Sequence, residues 1–230
     1  MKFNNILRLI LPRRVISAIR LLQIFQYKHG HTYHKSGFPV NGKGEFQPWL
    51  TYPMIEFLNG FNFSGKRVFE FGAGSSTLYW AARAEQVVSV ELNGEWYESL
   101  LQKVPNNVQL RHEPDGGKYS EVIQGMGKFD VIVIDGAERY HSAVMASKNL
   151  APGGMIILDN AEWYPTTAEF LNSLGLIEVP FSGFSPVNAF TSTSSVFMSR
   201  DFSIPKNDKA RLPPIGGRKL PNPALDDIPN

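Results

Sequence analysis

The sequence predicts one α/β domain, a mostly parallel sheet with helices on both faces. Three observations predict it. Between residues 65 and 160, short β-like runs alternate with helical stretches, the pattern of parallel strands joined by crossover helices. The run from Phe129 to Asp135 is almost wholly apolar, as a strand covered on both faces requires. Val68-Phe69-Glu70-Phe71-Gly72-Ala73-Gly74 carries a strand directly into a Gly-x-Gly turn ahead of a helix.

The elements follow in order. Val15 to Phe25 has its apolar residues at helical spacing, and residues 28–48 read as a loop rich in Gly, His and Lys. Trp49 to Gly60 is helical around Pro53. The first sheet strand is Arg67–Phe71, with a helix over Thr77–Ala84. The second strand is Gln86–Leu92, with a helix near Glu95–Lys103. The third is Val108–His112. The fourth is Phe129–Asp135, with a helix over Tyr140–Asn149. A Pro152-Gly153-Gly154 turn then delivers the fifth, Met155–Leu158. After it come a helix over Thr166–Leu174 and two further β-like stretches, Ile177–Phe181 and Ser194–Ser199. We divide the chain into a basic helical arm and loop (1–44), a domain (45–200) and a Pro-rich, loosely ordered tail (201–230).

Charge separates the arm from the domain. Residues 1–44 hold eight Lys or Arg and no acid, whereas the remainder holds 15 basic and 21 acidic residues, a net of −6. The domain therefore lacks the basic bias of a nucleic-acid enzyme, and no nucleic-acid partner is expected. The absence of cysteine excludes disulfides, thiolate metal sites and a cysteine nucleophile, and it fits a cytoplasmic location. No apolar run approaches the ~20 residues of a membrane span. The basic amphipathic segment within residues 1–28 suits either peripheral contact with an anionic membrane or packing on the domain or a second subunit of a homo-oligomer.

The Gly-rich turn carries the chemistry. Glycines there let a ligand approach the backbone. Glu70 stands two residues before the first glycine, where a dinucleotide-binding strand carries an apolar residue, and Thr77 replaces the third glycine of that fingerprint. A pyrophosphate tolerates neither feature well; a ligand with an ammonium group can use the carboxylate. Glu91 ends the second strand nineteen residues after Gly72, placed to accept hydrogen bonds from ribose hydroxyls. Ser75 and Ser76 open the following helix, where hydroxyls suit a ligand carboxylate or cap the helix.

Four motifs in order, Glu70-x-Gly72-x-Gly74, Glu91, Phe129-Asp130-Val131-Ile132-Val133-Ile134-Asp135-Gly136 and Leu150-Ala151-Pro152-Gly153-Gly154-Met155-Ile156-Ile157, resemble the class I S-adenosylmethionine-dependent methyltransferases. The resemblance implies a Rossmann-like fold with a seven-stranded sheet closed by a C-terminal antiparallel hairpin. It implies that Glu70, Gly72 and Gly74 line the methionine end of S-adenosyl-L-methionine, that Glu91 holds the ribose, that Asp115 meets the adenine amino group, and that Asp135 contacts the cofactor. Asp115-Gly116-Gly117 also reads as a plain turn.

Asp135 and the pair Asp159-Asn160 end neighbouring parallel strands and open on one crevice. Their oxygens are hard ligands suited to Mg²⁺ or another divalent cation. The order of these residues is similar to divalent-metal O-methyltransferases of the catechol and caffeoyl-CoA type, which implies that Asp135, Asp159 and Asn160 are metal ligands. Those families often carry Lys shortly after the first Asp, where this chain has Glu138, Arg139 and His141. His141 is the expected general base beside Asp135, since imidazole titrates near neutrality.

These readings lead to transfer of a methyl group to the hydroxyl of a small-molecule acceptor, with or without a metal. Two alternatives remain open at this point: an NAD(P)-binding oxidoreductase, and a methyltransferase-like module that binds without catalysis. Aminopropyl transfer on a related fold also stays open.

Overall fold

A computed structural model of the chain describes residues 11–207 and 213–217. The segment Arg13–Gln23 forms helix α1 and continues into wider π-helical turns over Ile24–His29. A two-stranded hairpin, β1 (His34–Lys35) with β2 (Phe38–Pro39), follows. Helix α2 (Tyr52–Asn59) starts with Pro53 in its first turn, where a missing N–H costs nothing.

The main sheet then builds up as β3 (Arg67–Phe71), α3 (Ser75–Ala81), β4 (Gln86–Glu91), α4 (Gly94–Leu101), β5 (Val108–His112), the short α5 (Gly116–Tyr119), β6 (Phe129–Ile134), α6 (Arg139–Asn149) and β7 (Leu150–Leu158). Helix α7 (Pro165–Ser173) leads to β8 (Ile177–Phe184) and β9 (Thr191–Met198). The strand order is β5-β4-β3-β6-β7-β9-β8. The first five strands in that order are parallel; β9 is antiparallel to both β7 and β8. This is the mostly parallel seven-stranded, Rossmann-like sheet with its antiparallel hairpin.

Period-two alternation sorts the core onto two faces. Val131, Val133, Met155 and Ile157 pack on one side with Trp80, Met54 and Leu58 of the flanking helices. Ile132, Ile134, Ile156 and Leu158 pack on the other with Ala143, Ala146 and Leu171. Every one of these side chains is fully buried, each stabilising by about 1.5–3 kcal/mol for the larger aliphatics. A third, smaller cluster joins Phe38 of the hairpin to Ala73, Leu78 and Leu100. It fastens the N-terminal arm beside the Gly-rich turn.

Two segments differ from the sequence reading. Pro152-Gly153-Gly154 is not a free turn. Phe129 pairs with Leu150 and Val131 with Met155, so the intervening residues form a bulge inside β7. Gly153 has φ +71°, and its carbonyl accepts from Ser203 N at 3.0 Å. After β9 the chain stays attached. Ile204 is buried, Asn62 N donates to Pro205 O at 2.8 Å, and Asn207 N donates to Gly60 O at 2.9 Å. Ile215 N reaches Glu56 Oε2 at 3.2 Å. Residues 1–10 of the expected membrane-contacting arm and most of the expected tail (208–212 and 218–230) lie outside the described residues. Among the described residues no helix is long and apolar enough to cross a membrane.

Candidate cofactor and acceptor site

The tips of β3, β4, β6 and β7 meet at one edge of the sheet. Ladder bonds hold them level: Gly72 N donates to Val90 O at 2.9 Å, Asp135 N to Phe71 O at 2.9 Å, and Asp159 N to Ile134 O at 3.2 Å. Gly72 turns the chain with φ +96° and passes so close to Gly136 that a Cβ on Gly72 would lie 2.7 Å from the Gly136 Cα. Only glycine serves at that crossing. A cavity of about 820 Å³ opens above it. Gly72, Gly74, Ser75, Ser76 and Glu91 line one part, and Asp135, Asp159 and Asn160 line another.

Glu91 is held in a single arrangement. Its Oε2 accepts from Ala73 N at 3.0 Å, and its Oε1 accepts from Leu92 N at 3.0 Å and Asn93 N at 2.8 Å. A carboxylate has about four acceptor positions, so room remains for a ligand donor. The Trp96 indole donates to Ala73 O at 2.6 Å and packs edge-on to Phe38 at 5.1 Å, walling the cavity on the arm side. Ser75 gives its hydroxyl to the Gln47 carbonyl. It therefore ties the loop before α2 to the start of α3.

Glu70 departs from the expectation that it lines the cavity. It is fully buried beneath the turn. Its Oε2 accepts from the Thr77 hydroxyl and from Ser89 Oγ at 2.8 Å, and Thr77 Oγ1 in turn accepts from Gly74 N at 3.0 Å. Glu70 thus braces the Gly-rich turn from below. Burial pushes its carboxyl up to about 7, with hydrogen bonds from Ser76, Thr77 and Ser89 opposing and the nearby Glu91 charge adding to the rise.

Two expected residues stand outside the main cavity. Asp115 caps α5, accepting from Gly117 N at 2.9 Å, and is exposed beside Lys118. The plain-turn reading fits it. His141 lies on the exposed side of α6, 3.0 Å from Glu138, and lines a separate hollow of about 410 Å³ with Gly116 and Met145. It cannot serve as base in the main cavity.

The expected metal ligands are corrected as well. Arg139 has its guanidinium among them. Its Nη2 donates to Asp135 Oδ1 at 3.2 Å and to Asn160 Oδ1 at 3.4 Å, its Nε donates to Gly136 O at 3.1 Å, and its Nη1 donates to the Asp159 carbonyl. Asp159 turns its carboxylate to Ser194 Oγ at 2.5 Å. Oxygens committed to an arginine and a serine do not form a cage for a divalent ion, and no group of three or more His, Cys, Asp or Glu among the described residues could hold one.

Both aspartates are raised. Burial lifts Asp135 well above the ordinary carboxylate range, the neighbouring Asp159 charge adds to this, and Arg139 opposes it. Burial lifts Asp159 to about 6, against the Ser194 hydrogen bond and the Arg139 charge. Sequence reasoning missed Trp96 and Ser194, and it noted Arg139 only as standing where the metal-dependent families often carry Lys.

Neither a family model nor a curated protein matches the sequence. Solved structures do. A precorrin-6y C5,15-methyltransferase from Geobacter metallireducens superposes with TM-score 0.52 at 12% identity, covering 74% of this chain and 94% of that one. A proposed O-methyltransferase from Klebsiella pneumoniae gives TM-score 0.50 at 19% identity, covering 85% and 94%. A precorrin 8W decarboxylase from Methanobacterium thermoautotrophicum gives 0.50 at 19%, covering 75% and 98%. At these identities the likeness establishes architecture: the chain shares the Rossmann-like fold of these three proteins.

Proposed function

We propose that the chain is an S-adenosylmethionine-dependent methyltransferase acting on a hydroxyl of a small-molecule acceptor. One observation carries this reading. The Gly72–Ser76 turn and Glu91 share a single cavity with two raised aspartates at the next strand tips. A cofactor cradle and a basic group thus face a common space.

The cofactor supplies an electrophilic methyl group on a sulfonium. The chain's residues do the rest. Glu91, fixed by three backbone N–H groups, accepts from ribose hydroxyls. Gly72 and Gly74 keep the turn free of side chains. Trp49, Trp163 and Phe190 line the mouth as partly exposed aromatics, suited to the flat face of a ring or sugar and to shielding the reacting atoms from water. Asp159 would take the proton of the acceptor hydroxyl, leaving its oxygen able to accept the methyl group that a bound S-adenosylmethionine would supply. A carboxylate raised to about 6 is a stronger base than an ordinary one and is still ionised near neutrality.

Transfer of labelled methyl groups to a panel of planar phenols and sugars tests this reading. The proposal requires an O-methylated product and a loss of kcat in Asp159→Asn by about 10²–10⁴-fold, with S-adenosylhomocysteine affinity retained. Products confined to nitrogen or carbon acceptors, or an unimpaired D159N, would overturn the hydroxyl assignment.

A further inference from the structure

We propose that the Arg139 guanidinium is the resident cation of the acceptor end of the cavity. It stands where a divalent ion would have to bind, and the site works without one. The inference deepens the proposed methyl-transfer reading and rests on it only for what the cavity does.

The geometry is that of a bridge. Four contacts from one side chain reach both strand tips: Gly136 O and Asp135 Oδ1 after β6, Asp159 O and Asn160 Oδ1 after β7. The side chain of Arg139 is 9% exposed. The Tyr164 ring covers its guanidinium, with the central carbon 4.4 Å from the ring centroid, so a further attraction holds the charge in place. Two residues in the left-handed region set up the bridge. Glu138, at φ +49°, turns the chain just before α6, and Asn160, at φ +52°, turns it after β7. Strain of this kind persists where the surroundings fix it.

An ion in the same place would need about six oxygens at 2.0–2.6 Å. The two side-chain oxygens best placed to ligate it both accept from the same guanidinium nitrogen, and the third candidate group is held by Ser194. A fixed planar cation differs from a metal in one consequence for the substrate. It offers no open coordination position, so the acceptor need not carry two adjacent oxygens to chelate an ion. A molecule with a single hydroxyl suffices.

Mn²⁺ binding to the full chain, followed by electron paramagnetic resonance, tests the inference apart from any activity. The wild type should leave added Mn²⁺ free into the millimolar range, and EDTA should not change its affinity for S-adenosylhomocysteine. Arg139→Ala should gain a stoichiometric Mn²⁺ site that Asp135→Asn removes again. Arg139→Gln, which keeps a polar side chain without charge, should gain the site too if the alanine variant does not fold. Arg139→Lys, which keeps the charge, should stay silent. A wild-type Mn²⁺ site lost in D135N would overturn the inference, as would folded neutral variants that bind no Mn²⁺. Failure of the wild type to bind S-adenosylhomocysteine would instead count against the methyltransferase reading and leave the Mn²⁺ result standing.

Discussion

Single residues separate what spacing encodes from what it leaves open. Gly72 and Glu91 are readable because each serves the backbone: one permits a crossing that a Cβ would block, the other stands at a strand tip fixed by strand length. Gly72→Ala should therefore cost more than 1–3 kcal/mol, since strain at positive φ adds to a clash with the Gly136 backbone, and denaturant melts will measure it. Glu91→Ala should weaken S-adenosylhomocysteine binding by about 1–3 kcal/mol; unchanged affinity would refute the ribose role. Glu70 was recognised as special, but its direction was not legible, because the hydroxyls that draw it inward come from Thr77 and from Ser89 on another strand. Its folded carboxyl titrates near 7, above the ordinary 4.5. The folded chain thus holds this proton longer than the unfolded one. The stability it contributes is complete below 4.5, falls as pH rises toward 7, and is flat above. The loss is at most about 3 kcal/mol. Glu70→Gln should make stability less dependent on pH across that window, and an unchanged slope in urea melts would contradict the assignment. The directions of Arg139 and His141 were not legible for one reason. Side-chain direction after a strand tip depends on a local turn, here Glu138 in the left-handed region, which composition does not specify.

At the scale of elements, the central strands were legible nearly to the residue. β3 coincides with its expected limits, since a short apolar run between polar connections defines a buried parallel strand, and the edge strand β5 coincides with its limits too. β7 was not, because a Pro-Gly-Gly sequence signals a turn unless a later segment, here Ser203, covers the bulge it makes. The strands β8 and β9 run longer than expected because their pairing with each other continues to Phe184 and Thr191, beyond the last pair of β9 with β7, Leu158 with Ser195. Helix α1 was legible as amphipathic, but what it faces was not. Its Val15, Leu21 and Leu22 are exposed, and Arg13, Arg14 and Arg20 share the same helix. That combination suits an anionic lipid surface. The full chain should float with anionic vesicles and not with neutral ones, and removal of residues 1–30 should abolish flotation. Equal behaviour of the two forms would favour packing on the domain or on a second subunit instead.

For the whole molecule, strand order matters more than any motif. The order β5-β4-β3-β6-β7-β9-β8 reverses direction of growth between β3 and β6, and a ligand crevice opens where the order switches. Alternating elements predicted the parallel sheet. They could not predict that Trp96 and Phe38 would close one wall or that Arg139 would bridge two tips, since these contacts join segments distant in sequence. The central claim is that this crevice is built for an adenosyl sulfonium and not for a dinucleotide. Parallel calorimetric titrations of the full chain with S-adenosylhomocysteine, NAD and NADP test it most directly. The account predicts saturable binding of S-adenosylhomocysteine alone, weakened in Glu91→Ala. Binding of NAD or NADP with no response to S-adenosylhomocysteine would contradict it.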